Sequence, residues 1–405
     1  MDTGDTAFML IATAMVMLMT PGLALFYGGL VRTKNVLSTI MQSFICMGIV
    51  SVLWVVYGYS LAFGPDVGHF IGNLDYVGLK NVGLVPGVYS ETIPHLLFCA
   101  FQLMFAIITP ALITGAFAER MKFSAFLAFT VVWLTLVYLP VCHWVWGQGG
   151  WLGEMGALDF AGGTVIHINS GAAALVAALV LGRRKGYGRE SMHPHNLPMT
   201  VLGAGLLWFG WFGFNAGSAL SAGPIAVLAL FTTQAATAAG VLAWVIAEWK
   251  IQGKPTLLGA ASGALAGLVA ITPGAGFVSP VSALVMGGVA GALCYFAVLA
   301  KRRLGYDDSL DVVGIHGVGG IWGALATGLF ASTAVNPDGA DGLFFGNAHQ
   351  LTIQAIGVGS TIVYSIVVTY IVLKIIDLTM GLRVSLDDET QGLDQTQHSE
   401  VGYTH

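Results

Sequence analysis

Two histidines carry the first chemical signal in this chain. His167 lies in DFAGGTVIHINSGAAAL and His316 in DDSLDVVGIHGVGGIWGAL, both inside apolar stretches. An ionisable side chain there is expensive to bury and marks an ion or proton path until otherwise explained. Histidine suits proton relay because one ring nitrogen donates while the other accepts. The surroundings repeat: Asp159 and Asp308 precede the two histidines by eight residues, and Gly171 and Gly320 follow by four. A lone buried histidine reads as a side chain bonded to a carbonyl; two in repeated contexts point to a shared role. A zinc site is the other alternative, but it needs three or four ligands. No third His, Cys or carboxylate falls convincingly at the same depth, so neither metal nor cofactor is expected. Asp159 reads as a helix N-cap or loop anchor.

Other motifs place aromatics near these histidines in sequence order. FQLMF sets Phe101 and Phe105 one helical turn apart, and GWFGFNAGS gathers Trp211, Phe214, Asn215 and Ser218. HWVWGQGGW carries Trp146, and Thr272 closes a later apolar stretch. By pattern alone Phe101 and Phe105 read as helix packing and Trp146 as an interfacial belt residue. His143, His193, His195 and His349 lie at the ends of apolar stretches or in loops and gain no special role.

The elements that must position these residues follow from composition. Of 405 residues, 56% are hydrophobic and 9% charged, against roughly 25% charged in a soluble domain. Sixteen basic and 21 acidic residues cannot cover a soluble surface of this length, and mean hydropathy is +0.79. The chain is therefore an all-α polytopic membrane protein. Disorder is excluded by the apolar content, a nucleic-acid partner by the net charge of −5 and scattered basic residues. Long apolar runs favour helices over a barrel. Cys46, Cys99, Cys142 and Cys294 show no paired spacing and read as packing residues.

Taking about 20 apolar residues per crossing, eleven spans are expected, at 7–31, 36–63, 93–117, 123–146, 162–182, 197–217, 223–249, 256–273, 278–300, 311–333 and 348–376. Basic residues test the count, because they collect on the cytoplasmic side. Fifteen of the sixteen fall after odd-numbered spans; Lys80 alone lies on the other side. This gives an outside N-terminus and a cytoplasmic C-terminus. The membrane domain then covers 1–380 and an acidic cytoplasmic tail 381–405. The residues before the first span do not look like an intact signal peptide; either a leader was cleaved or the short tail crosses unaided. Gly259, Gly263 and Gly267 permit close helix approach in the eighth span.

The two histidine motifs are five spans apart, so they run in opposite directions. That is the mark of two inverted five-helix repeats, spans 1–5 and 6–10, with the eleventh helix added. Straight perpendicular helices would leave the rings at different depths. Contact requires that both helices tilt or begin inside the membrane.

At this point the chain resembles an ammonium transporter of the Amt/Mep/Rh family, in its bacterial Amt type. The resemblance rests on DFAGGTVIHINS (159–170), GWFGFNAGS (210–218), GIHGVGG (314–320), PGLALFYGG (21–29), AFAER (116–120) and GLRV (381–384). It implies a homotrimer in the inner (cytoplasmic) membrane, each subunit with its own pore. His167 and His316 would be the pore's twin histidines, and Phe105 and Phe214 the stacked pair closing it from outside. Phe101, Trp146 and Ser218 would recruit the cation, with Trp211, Asp159 and Thr272 in support. The implied activity is recruitment of ammonium, its deprotonation, conduction of ammonia, and separate relay of the proton along the histidine pair. Passive ammonia conduction and an ammonium sensor of the same fold are the alternatives. A hydrolase lacks a nucleophile–base pair, and no enzyme activity is expected. The expected partners are ammonium or ammonia, methylammonium, the lipid bilayer, further copies of the chain and a cytoplasmic PII-type signal protein.

Overall fold

The computed structural model describes residues 1–403, most of them helical. The long helices are α1 (Thr3–Leu30), α2 (Thr33–Phe63), α3 (His95–Phe117), α4 (Phe123–Glu154, broken at 147–150) and α5 (Gly163–Leu181). They continue with α6 (Leu197–Gly217), α7 (Pro224–Gln252), α8 (Leu257–Ile271), α9 (Pro280–Leu304), α10 (Val313–Phe330) and α11 (Ala348–Met380). Ten of these are long and apolar enough to cross a membrane; α8 is the shorter apolar one. Its 15 residues span about 22 Å at 1.5 Å each, less than the expected 256–273 would reach. Thr256 caps its start by accepting from the Gly259 amide, and Pro273 and Gly274 end it two residues early. Its glycines do serve close approach: at Gly263 a Cβ would meet the Trp244 Cβ at 2.7 Å and the Gly240 carbonyl at 2.8 Å.

The other boundaries move by a few residues. Helix α1 begins at Thr3 because Asp2 accepts from the Asp5 amide at 2.8 Å as an N-cap. Helices α9 and α11 run four residues past their expected ends. The connection after α2 is not plain loop. It holds two short hairpins, β1 (Asp66–Val67) with β2 (Ile71–Gly72) and β3 (Pro86–Gly87) with β4 (Ser90–Pro94). The Asp2 amide donates to the Thr92 carbonyl, so these hairpins share a face with the N-terminus.

The opposite face holds residues 381–403. There α12 (Leu386–Gln391) starts with a capping box between Ser385 and Asp388, and α13 (Leu393–His398) follows. The Asp394 carboxylate accepts from the Leu37 and Ser38 amides at 3.0 and 2.8 Å, capping the first turns of α2. Beneath the tail lies a buried ion cluster. Arg184 donates to both oxygens of Asp307 and to Glu119, which also accepts from Arg32. Arg120, fully buried, donates to the Ala116 and Asp307 carbonyls. Burial alone would raise the Glu119 carboxyl, but Arg184 and Arg32 outweigh it and hold it below its ordinary range.

Candidate functional site

Asp159 organises the start of α5. Its Oδ1 accepts from the amides of Gly162 and Gly163 at 2.9 and 2.6 Å, and its Oδ2 from Thr164 and Val165 at 2.8 and 3.1 Å. Four donors that a helix start leaves unpaired are thus met by one carboxylate. Gly162, at φ 113°, supplies the left-handed turn into the helix. Asp308 takes the matching place before α10, where its Oδ2 accepts from the Val313 amide at 2.8 Å. Its Oδ1 meets no hydrogen-bond partner among the described residues. Both helices open with π-helical turns, Gly163–Ile168 and Val313–Gly317, and each histidine lies within one.

This geometry brings the rings together. The Nδ1 atoms of His167 and His316 are 3.2 Å apart, with centroids at 5.2 Å and planes 26° apart. One Nδ1 must carry the proton and the other accept it. Each histidine sits in its helix's opening turns, and those two openings meet in space. The Trp211 ring stacks on His167 at 5.4 Å, and its Nε1–H donates to Thr272 at 2.9 Å. Thr272 in turn donates to the Leu268 carbonyl. Thr272→Val keeps the volume and strands a buried indole N–H, so a loss of about 1–3 kcal/mol is expected. Thermal denaturation of the purified protein checks it; an unchanged midpoint would remove Thr272 from the role of anchoring Trp211.

The pair borders a narrow cavity whose other walls are apolar, among them Leu23, Ile108, Leu112, Leu207, Leu265 and Trp211. Its volume of about 10 Å³ is near the lower limit for one water. Toward the N-terminal face Phe214 borders this cavity, and its ring lies 4.4 Å from that of Phe105. Beyond them opens a vestibule of about 270 Å³, lined by Phe105, Trp146 and Ser218 together with Phe63, Tyr89, Phe98, Gln102 and Phe160. The Ser218 hydroxyl donates to the Phe214 carbonyl at 2.9 Å, which leaves its lone pairs free to accept. The Trp146 Nε1–H donates to the Asp159 carbonyl.

Phe101 is not brought to this vestibule. It is fully buried behind Phe105, edge-on at 4.8 Å. The aromatic wall is instead completed by Tyr89 and Phe98, whose rings are parallel at 4.7 Å. Sequence spacing did not reveal them, because Tyr89 comes from the hairpin connection and Phe98 belongs to no motif that stood out in the sequence. Of the histidines given no role, His143 is fully buried and bonded to the Ala62 carbonyl and to Asp66. Among the described residues no group of three or more His, Cys, Asp or Glu could hold a metal.

Fold and site together define a class: a multi-pass helical membrane protein with an aromatic vestibule leading to a narrow, largely apolar cavity bordered by a histidine pair. The chain belongs to the ammonium transporter family, whose sequence model (Ammonium Transporter Family) matches residues 7–403. It is 55% identical to the ammonium transporter of Bacillus subtilis over 404 residues, covering 100% of this chain and 99% of that one. It is 52% identical to that of Aquifex aeolicus, covering 100% and 94%. Among solved structures it resembles Saccharomyces cerevisiae Mep2, with a TM-score of 0.89 and 38% identity over 96% of this chain and 88% of that one. A protein described as a sensor Amt protein aligns with a TM-score of 0.90 and 30% identity over 98% of both chains. The family is one of transporters and channels, not of enzymes.

Proposed function

We propose that this chain recruits ammonium in the vestibule, deprotonates it at the Phe105–Phe214 closure and conducts ammonia past His167 and His316, with the proton relayed separately along the pair. The observation that carries this is the histidine contact bordering a cavity too narrow and apolar for a hydrated cation. Trp146 and Phe105 attract a cation through their ring faces, and the Ser218 oxygen adds an acceptor. Ammonium resembles a lysine amine, with a pKa of roughly 10 in water. Desolvation lowers such values by about 3–5 units, so the dry stretch favours the neutral molecule. Potassium has no proton to lose and is rejected. Methylammonium, which does, is accepted.

In this reading all eleven helices cross the inner membrane, α8 sheltered between α7 and α9, with the N-terminus outside and the 381–405 tail cytoplasmic. The basic residues that cluster under the tail support that orientation. Spans α1–α5 and α6–α10 are inverted repeats, three copies form a homotrimer, and the tail with its neighbouring loops receives a PII-type signal protein. Proteoliposome recordings test the core of the proposal. His167→Ala and His316→Ala should each abolish selective ammonium current; selective currents surviving in both, with potassium still excluded, would refute the relay. A sensor reading is favoured by the likeness to the sensor Amt protein. Ammonium binding without growth rescue in a strain lacking its own uptake system would select it.

A further inference from the structure

The glycines four residues after each histidine are not packed against their own histidine. Each lies against the other one. At Gly320, which follows His316, a Cβ would meet the His167 Cβ at 3.1 Å, with Ile168 Cγ1 and the Ile168 amide nitrogen at 3.1 Å as well. At Gly171, which follows His167, a Cβ would overlap the Gly317 Cα and nitrogen and approach the His316 carbonyl carbon at 3.2 Å. The relation is reciprocal, as the opposed directions of α5 and α10 demand. At Gly171 the two helices meet backbone to backbone, and at Gly320 the base of His167 and Ile168 fill the contact.

We infer that Gly171 and Gly320 are positioning residues that set the separation of the two histidine rings, and with it the coupling of charge to ammonia. The inference rests on the twin-histidine reading above. An Nδ1–Nδ1 separation of 3.2 Å is already at the long end of a hydrogen bond. A few tenths of an ångström of retreat by His167 breaks the contact without closing the cavity beside it. The two glycines differ in severity. At Gly171 the obstacle is backbone on the partner helix, which has no rotamer to change. At Gly320 it is the base of the His167 side chain and its neighbour, which yield by a small shift of α5. Ile168 is already packed against Ala324 and Val358, so it does not absorb the added methyl alone and His167 must move with it.

The test uses the full chain reconstituted in liposomes, recording ammonium-evoked current and, from an enclosed pH dye, ammonia entry in the same preparation. Gly320→Ala should fold, remain monodisperse and lose charge movement by about 10- to 100-fold, the scale of a misplaced reacting group. Ammonia entry should fall far less. A purely structural role would lower both signals in proportion to the amount of folded protein. Gly171→Ala should show the larger loss or fail to fold, and the Gly320 variant keeps the inference testable if it does. A Gly320→Ala protein with the wild-type ratio of charge to ammonia overturns the positioning role. If that occurs while His167→Ala and His316→Ala abolish the current, only this inference falls; if the histidine variants keep selective current, the proposed function falls with it.

Discussion

Asp159→Ala is expected to abolish ammonium current and to remove at least about 4 kcal/mol of stability, because four buried amides lose their acceptor and each orphaned donor costs about 1–3 kcal/mol. Gly162, Gly163, Thr164 and Val165 all donate to this carboxylate, and His167 lies two residues beyond the last of them. Losing the anchor frees the turn that sets the ring's depth. Total stabilities are of order 5–15 kcal/mol, so much of the protein should fail to fold. Asp159→Asn should fall between, since its carbonyl oxygen retains one pair of donors while its NH₂ faces the other pair. Asp308→Asn should be milder, because one oxygen there has no partner to lose. Yield of monodisperse protein, denaturation midpoint and current are the readouts. Wild-type stability and current in Asp159→Ala would show that the turn is held by something other than its carboxylate.

The ranking of these two aspartates marks where sequence stopped being informative. Their equal spacing from the histidines is legible, and so is the opposite direction of their helices. What spacing cannot carry is that Asp159 closes on four consecutive amides while Asp308 does not, since that depends on Gly162 and on Pro273 packing beside Gly163. Helix positions were legible for the same reason that membrane proteins are helical: in lipid, every backbone group must be satisfied within its own segment. Element ends were less so, because caps such as Asp2 and Thr256 extend or shorten a helix without changing its apolar run. The vestibule divided similarly. Trp146 and Ser218 line it as the family resemblance implied, whereas Phe101 and Phe105 are one turn apart and only packing decides which ring faces the opening. Tyr89 reaches the wall from a hairpin that no apolar periodicity announces.

The ion cluster beneath the tail was the least legible part, and it carries the second large effect. Asp307→Ala is expected to destabilise the protein by about 3–5 kcal/mol, the cost of leaving a buried charge without its partner. Arg184 donates to Asp307 through its backbone amide at 2.8 Å and through Nε and Nη2 at 2.9 and 2.8 Å. Glu119 at 3.1 Å would be left as its remaining anion. An exposed pair such as His69 with Glu154 is screened by solvent, so Glu154→Ala should leave stability nearly unchanged. Replacing Arg184 and Asp307 together by apolar residues should cost less than either single change, because neither charge is then stranded. The pH dependence follows from the same contacts. Burial alone would raise the Asp307 carboxyl, but the Arg184 bonds and charge outweigh it and hold it below its ordinary range. A carboxyl with a depressed folded pKa stabilises above its unfolded value of roughly 3.9 and loses that contribution as pH falls further. Wild type should therefore lose stability below about pH 4 more steeply than Asp307→Ala. The effect reaches transport because of where the pair sits. Arg184 follows the end of the helix that carries His167, and Asp307 precedes the helix that carries His316. Loosening that joint should reduce ammonium current in whatever fraction still folds, and normal current per folded molecule would confine the cluster to stability.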